Sequence, residues 1–368
     1  MFEEKGELMS KKVKVAIAGL GNCASALVQG LEYYQSADEN DFVPGVMHVK
    51  FGEYHISDVE VVAAFEVNTK KIGKDISEAI WQSPNVCNKF SDVPNKGITV
   101  KPGPINDGVA QHMMESFHCY DSSEIQPVNV VDTLKETNAD VLVNFLPVGS
   151  EKASEVYAQA ALDANVAFAN GIPAFIASKP EWGQKFTDKN IPVAGDDIKS
   201  QLGATILHRV LVSLAHDRGI KLDETFQLNI GGNTDFENMK KEHRLTTKRI
   251  SKTEAVTSML PYEVPTRIGP SDYVPFLDDE KICYLWLKGK NFGEQPITAQ
   301  LKLSVQDSPN SAGVMIDVIR SLKIALDRNI GGPLIGISSY FFKHPPKQIR
   351  DSEAKELVEK FIRGEITN

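Results

Sequence analysis

The segment VKVAIAGLGNCASALVQGL, residues 13–31, constrains the fold more than any other part of this 368-residue chain. Val13–Ala18 is a run of small and β-branched apolar residues that reads as a buried strand, and it enters Gly19, Gly21 and Ala24 at the spacing GxGxxA. From Ser25 to Tyr34 apolar residues recur at helical spacing, so the three small residues lie between a strand and a helix. In that setting Gly19 supplies a tight turn, Gly21 lets the backbone approach a pyrophosphate, and Ala24 permits close strand-to-helix packing. Asn22, Cys23 and Ser25 add amides or a hydroxyl, and the helix N-terminus faces the anion. The pattern predicts a dinucleotide-binding turn at the start of a parallel α/β sheet.

The rest of the first 200 residues continues that alternation. Strands are predicted at Val61–Phe65, Val141–Phe145, Val166–Ala169 and Val193–Ala194, and helices at Ile72–Trp81, Val130–Thr137 and Lys152–Ala164. The fold class is α/β, a doubly wound Rossmann-type parallel sheet. After about residue 200 a long helix, Ala204–Asp217, is followed by segments of period two. In Gln300–Gln306, Leu301, Leu303 and Val305 point one way and Lys302, Ser304 and Gln306 the other. This predicts a second, α+β domain built on an antiparallel sheet with one wet or partner-covered face. A helix at Ser311–Arg328 is placed to pack back on the first domain, and Asp351–Ile362 reads as an amphipathic surface helix. The division is therefore 1–200, completed by 311–368, for the dinucleotide domain, and 201–310 for a catalytic and oligomerisation domain.

Charge and cysteine usage exclude several classes. Forty Lys plus Arg against 49 Asp plus Glu leave a net charge of −9, the wrong sign for a nucleic-acid binder. No apolar run approaches the roughly 18 residues of a membrane span. Four cysteines, Cys23, Cys87, Cys119 and Cys283, and eight histidines fall without metal-ligand or disulfide spacing, which fits a reducing cytoplasm.

The second strand arrives only after an insertion containing GVMHVKFGEYHISD, so the acid that would meet the ribose is Glu66 at the strand tip, with Asp75 of IGKDISEA near the same edge. Further on, polar motifs fall at predicted strand ends: NFLPVGSEKA, AGDDIKSQLGAT, LNIGGNTDFENM, TTKRISKTEAV, GPSDYVPFLDDEK, LSVQDSPNSAG and SSYFFKHPP. Five lysines recur in them, Lys199, Lys248, Lys252, Lys281 and Lys343, with Asp197, Asp235 and Asp307. A single lysine is ordinary surface. A set of lysines embedded in Gly/Pro/Ser-rich turns is the pattern of an anion site.

These motifs together, GNCAS, LPVGSE, GDDIKSQLGAT, ISKTEAVTS, GPSD and DSPNSAG, closely resemble the inositol-3-phosphate synthase (myo-inositol-1-phosphate synthase) family in its bacterial and archaeal form, over about Val13 to Pro346. The resemblance implies a redox-neutral isomerisation of glucose 6-phosphate with NAD as cofactor: oxidation at C5, loss of a proton from C6, ring closure onto C1 and re-reduction. It implies an active-site set of Asp197, Lys199, Lys248, Lys252, Lys281, Asp307 and Lys343, with Lys281 and Lys343 stabilising oxyanion or phosphate and transferring protons. Asp75, Tyr157, Ser200 and Asp235 resemble cofactor contacts of the family. It also implies a homotetramer. Family members differ between divalent-cation and lysine-based stabilisation of the enolate, and no compact carboxylate cluster in this sequence decides. A lysine Schiff base is the other chemistry left open.

Two competing readings share the glycine turn. A sugar-phosphate dehydrogenase would release NADH at each turnover, and a non-enzymatic NAD-binding regulator would have no use for lysines gathered in turn motifs.

Overall fold

The computed structural model describes residues 12–239 and 246–368, with backbone alone at 246–249 and 270. β1 (Val13–Ala18) is buried along its length except at Lys14, as its near-continuous apolar sequence dictates for a central parallel strand. α1 (Asn22–Tyr33) follows after the glycine turn. The insertion then forms a small hairpin, β2 (Lys50–Phe51) with β3 (Tyr54–His55), before β4 (Val59–Glu66) returns to the sheet.

The chain continues through α2 (Ile76–Ala79), β5 (Lys101–Pro102), α3 (Val130–Glu136), β6 (Val141–Asn144), α4 (Glu151–Ala164), β7 (Ala167–Asn170), α5 (Pro180–Asp188) and β8 (Pro192–Gly195). With β13 (Gly332–Pro333), these strands make a seven-stranded parallel sheet in the order β13-β8-β7-β6-β1-β4-β5. The order reverses at β1, so a crevice opens at the carboxyl ends of β1, β4 and β6, where ligands of open parallel sheets bind.

One predicted helix is shortened. The expected helix Ile72–Trp81 is α2, Ile76–Ala79, because the residues before it pair with another segment. Gly73 adopts φ +80°, and the amides of Gly73 and Ile76 donate to Val100 and Ile98 at 2.9 Å each. Asp75 then caps the helix, its carboxylate accepting from the Ser77 amide at 2.9 Å.

The second layer begins with α6 (Ala204–Asp217) and β9 (Lys221–Gly231), then α7 (Thr234–Asn238) and α8 (Thr246–Thr257). β10 (Thr266–Tyr273), β11 (Glu280–Lys290) and β12 (Pro296–Gln306) complete a four-stranded sheet in the order β10-β9-β11-β12. The antiparallel sheet expected from the sequence is present, with one parallel pair at its edge. β11 runs antiparallel to both neighbours, but β10 lies parallel to β9, because α7 and α8 carry the chain back to the start of the sheet. One face is covered through Val212, Leu222, Val256, Met259, Ile268 and Leu287. The other stays open.

α9 (Asp307–Asp327) passes from that sheet back to the parallel one and packs on α1, β7 and β8. Its Arg320, fully buried, donates to the carbonyls of His48, Val49 and Tyr54 at 2.7, 2.8 and 3.2 Å, which fastens the hairpin insertion. α10 (Ile335–Phe341) and α11 (Asp351–Ile362) close the chain, the latter burying Ala354, Val358 and Phe361 as its amphipathic pattern predicts. No helix among the described residues is long and apolar enough to cross a membrane.

Candidate active site

The glycine turn opens onto a large cavity that runs from the parallel-strand ends to the second sheet. Gly19 has φ +87°, its amide donates to the Phe65 carbonyl at 2.9 Å, and a Cβ there would lie 2.7 Å from the Phe145 carbonyl oxygen, so only glycine fits. Gly21 occupies the N-cap of α1, has no side chain to satisfy the first-turn amides, and has nothing within 4 Å of where a Cβ would stand. A helix N-terminus left bare beside open space is a cradle suited to a pyrophosphate. Asn22 and Cys23 line the cavity beside it, and Asn22 accepts the amides of Val86 and Cys87 at 2.7 and 3.0 Å, which ties the turn to the neighbouring loop. Ala24 and Ser25 lie behind the cavity lining, fully buried. Ala24 serves strand-to-helix packing, and the Ser25 hydroxyl accepts from Gln29 at 3.3 Å rather than facing a ligand.

Glu66 stands at the tip of β4 and lines the cavity. Its carboxylate accepts from the amides of Leu20 at 2.9 Å, Val67 at 2.7 Å and Asn68 at 3.2 Å, so it braces the glycine turn. Lys71, which sequence reasoning missed, is 1 % exposed and donates to the Leu20 carbonyl at 2.7 Å and to Asn85 at 2.8 Å. Burial lowers its pKa, against the pull of Glu66. The signal was present in NTKKIGKD, but five surface-like polar residues around it hid a buried lysine. Tyr157 lines the same end, and burial, with Glu66 and Tyr120 nearby, raises its phenol well above the ordinary value, so it stays a proton donor.

Asp75 does not join them. Besides capping α2 it accepts the amides of Lys96 at 3.2 Å and Ile98 at 2.8 Å, so its oxygens are spent on backbone and it lies outside the cavity lining.

In the same cavity two lysine–carboxylate pairs converge from four separate segments. Lys281 of β11 donates to Asp307, the first residue of α9, at 2.9 Å. Lys343, after α10, donates to Asp197 at 2.7 Å, and Ser251 of α8 donates to the other oxygen of Asp197, also at 2.7 Å. Lys252, Ser200 and Asp235 line the cavity with them. Burial alone would lower the Lys281 pKa, but the Asp307 carboxylate, by charge and hydrogen bond, and Asp235 beyond it hold it above the ordinary value. The Cys23 thiol is pushed the other way for reactivity: burial first, then Asp307, Asp279 and Asp235, raise it, so it remains protonated.

Lys199 is the correction to the expected lysine set. It is 1 % exposed and outside the cavity, its ammonium donating to the Ser339 carbonyl at 2.8 Å and to Asp351 at 3.0 Å. Asp351 also accepts from Arg209 at 2.7 Å. Burial pushes the Lys199 pKa down to about 8 despite Asp351. The reason lies in the backbone at Asp197. Asp197 takes φ +62°, and the loop sends Asp197 to the cavity and Lys199 to the α11 side. The Lys248 side chain lies outside the described residues.

Asp279 was not singled out from the sequence. It is fully buried and accepts from Asn233 at 3.1 Å and from the Ser308 hydroxyl at 2.7 Å, which aligns the segments that carry Asp235 and Asp307. Burial raises it to about 6, with the Asp307 charge adding and the Ser308 and Asn233 hydrogen bonds opposing. The doubled acid in LDDEK was its only sequence signal. Among the described residues, no three His, Cys, Asp or Glu side chains form a metal-binding group, so no residue is assigned to a cation.

Residues 203–308 match the family model described as myo-inositol-1-phosphate synthase. The inositol-3-phosphate synthase of Mycobacterium tuberculosis is 54% identical over 358 residues, covering 96% of this chain and 97% of that one. That of Corynebacterium glutamicum is 52% identical over 363 residues, covering 96% and 99%. The crystal structure of a myo-inositol-1-phosphate synthase-related protein from Thermotoga maritima superposes with a TM-score of 0.80 at 26% identity, covering 96% of this chain and 98% of that one. Likeness of this extent, together with a dinucleotide-type turn and a lysine-lined cavity, places the chain: it belongs to the inositol-3-phosphate synthase family.

Proposed function

We propose that this protein converts D-glucose 6-phosphate to 1D-myo-inositol 3-phosphate with NAD held at the Gly19–Gly21 turn. The observation that carries the reading is one cavity joining a bare helix N-terminus at a glycine turn to two partly buried lysine–carboxylate pairs. Gly19, Gly21, Asn22 and Cys23 would hold the pyrophosphate, with Glu66, Tyr157, Ser200 and Asp235 around the remainder of the cofactor. Bound NAD supplies a hydride acceptor at C5 that returns the hydride, which makes the conversion redox-neutral.

The chain's own residues supply the electrostatics. Loss of the C6 proton puts negative charge on the C5 oxygen, and closure of the C6–C1 bond moves it to the C1 oxygen. Lys281, kept charged by Asp307, stabilises those oxyanions and donates a proton where one is needed. Lys343, paired with Asp197, and Lys252 bring further cationic donors to the phosphate and the enolate.

In this reading residues 1–200 with 311–368 form the cofactor domain and 201–310 the catalytic and assembly domain, with Asp197 and Lys343 reaching the chemistry from the first and Asp235 reaching the cofactor from the second. Assembly as a homotetramer is supported by the open face of the second sheet. There Phe226 and Trp286 stack at 5.2 Å beside Leu228, Ile230 and a 42 % exposed Tyr284, an apolar face suited to a second copy of the chain.

The test is phosphorus NMR of the protein with glucose 6-phosphate and catalytic NAD, with NADH absorbance followed in parallel. Formation of an inositol monophosphate without accumulating NADH is the expected result. A steadily rising NADH signal would make the protein a dehydrogenase, and no turnover with or without a divalent cation would overturn the reading.

A further inference from the structure

The glycines that let the chain turn tightly at residues 19–21 also leave it loose. Leu20 stands between them, and the peptide joining it to Gly21 is free to rotate, because glycine accepts either sign of φ at little cost. Two orientations of that peptide differ in what they offer an anion. One presents the Gly21 N–H, which attracts it, and the other the Leu20 oxygen, which repels it.

The structure holds the Leu20 peptide groups from both ends. The Leu20 amide donates to Oε2 of Glu66 at 2.9 Å, and the Leu20 carbonyl accepts from Nζ of Lys71 at 2.7 Å and from the Asn85 carboxamide at 3.1 Å. Asn85 itself accepts from the same ammonium at 2.8 Å. Across the trans peptide, the carbonyl and the next N–H point in opposite directions, so Lys71, by holding the Leu20 oxygen, turns the Gly21 N–H away from itself. Lys71 also acts on charge. Its Nζ lies 3.8 Å from Oε2 of Glu66, both side chains being buried, and the groups that donate to Glu66 are the neutral amides of Leu20, Val67 and Asn68. The ammonium is therefore what offsets the carboxylate at the turn. A buried ammonium is costly, and a methionine would fill a similar volume without that cost.

We propose that Lys71 is a positioning residue for the cofactor: it locks the Leu20–Gly21 peptide with its oxygen away from the ligand and offsets the Glu66 charge, so that the turn receives a diphosphate. The inference rests on the cofactor reading above and adds to it a residue that acts through the turn rather than by touching the reacting atoms. Lys71 and Asn85 both line the cavity beside Gly19, Leu20 and Gly21, which places the lock at the turn it serves. The glycines give the turn its close approach, and Lys71 removes the freedom that comes with them.

The experiment uses the full chain and reads dissociation constants for NAD and ADP-ribose by calorimetry and for adenosine, which has no diphosphate, by competition. Wild type is measured first, and failure to bind NAD overturns the cofactor reading itself. The binding comparison needs no turnover, so it stands apart from the reaction assignment. Lys71→Met is expected to weaken NAD and ADP-ribose about ten- to a hundredfold, the loss of a charge-assisted hydrogen bond, and to leave adenosine within about twofold. Turnover should divide the same way, with a raised KM for NAD and a kcat near wild type at saturating NAD. A lysine that only stitched the fold together would weaken adenosine as much as ADP-ribose, and that result overturns the assignment. Unchanged affinities for all three ligands, or a fall in kcat without a change in affinity, overturn it too. Should Lys71→Met not fold, Asn85→Ala, which removes the second donor to the Leu20 carbonyl, carries the same comparison with an expected loss of about fivefold for ADP-ribose and none for adenosine.

Discussion

Acidification should destabilise this protein through His208, and the size of the effect follows from its surroundings. The ring is 0 % exposed and its contacts are the neutral side chains of Thr225 and Gln227. Burial lowers its pKa from the ordinary 6.5 to about 4, opposed only by the Gln227 hydrogen bond. As pH falls through 6.5 the unfolded chain takes up a proton here and the folded chain does not. Stability from this group is therefore complete above pH 6.5 and is lost between 6.5 and about 4. At about 1.4 kcal/mol per pH unit, two units below 6.5 cost on the order of 2 to 3 kcal/mol. Carboxylates titrate in the same range, so the quantity to measure is a difference: urea unfolding of wild type and His208→Gln at pH 7.5 and 4.5. Glutamine does not titrate, so wild type should lose about 2 to 3 kcal/mol relative to the variant between the two pH values. A difference that stays constant would mean that His208 accepts a proton as readily folded as unfolded, which would refute the reasoning.

Three further outcomes follow from the site. Lys281→Ala and Lys343→Ala should each lower kcat by about a hundredfold or more while NAD affinity, read by titration, stays near wild type; near-normal turnover would remove that lysine from the chemistry. Asp75→Ala, which deprives three backbone amides of their acceptor, should cost about 1 to 3 kcal/mol in unfolding experiments and leave the NAD dissociation constant unchanged. A large loss of NAD affinity at unchanged stability would return Asp75 to the cofactor site. The two glycines of the turn should separate: Gly19→Ala, with φ +87° and a backbone oxygen 2.7 Å from the new Cβ, destabilises the fold, whereas Gly21→Ala meets only open space and weakens NAD binding with little change in unfolding. Equal behaviour of the two variants would contradict the cradle geometry.

The sequence by itself determined those features whose causes are local. β1, the glycine turn and α1 are set by contiguous apolar residues, a position that tolerates only glycine, and helical spacing, and all three stand where the pattern puts them. α11 matches its amphipathic span to the residue for the same reason. Motif chemistry also brought Lys281, Asp307, Lys343 and Asp197 into one candidate set, although 146 residues separate the last two. What only the tertiary structure decided is direction. Lys199 and Asp197 are two residues apart in one motif, yet a left-handed turn at Asp197 sends one to a structural network with Asp351 and the other to the cavity. Asp75 looks like a ribose ligand until residues 96–98 arrive to claim its oxygens. β9 carries its apolar residues outward, because its buried side meets His208 and a ligand cavity instead of a hydrophobic layer. Spacing in a sequence records which backbone conformation is cheap, but which side of that backbone is buried depends on partners distant in the chain, and those exist only after folding.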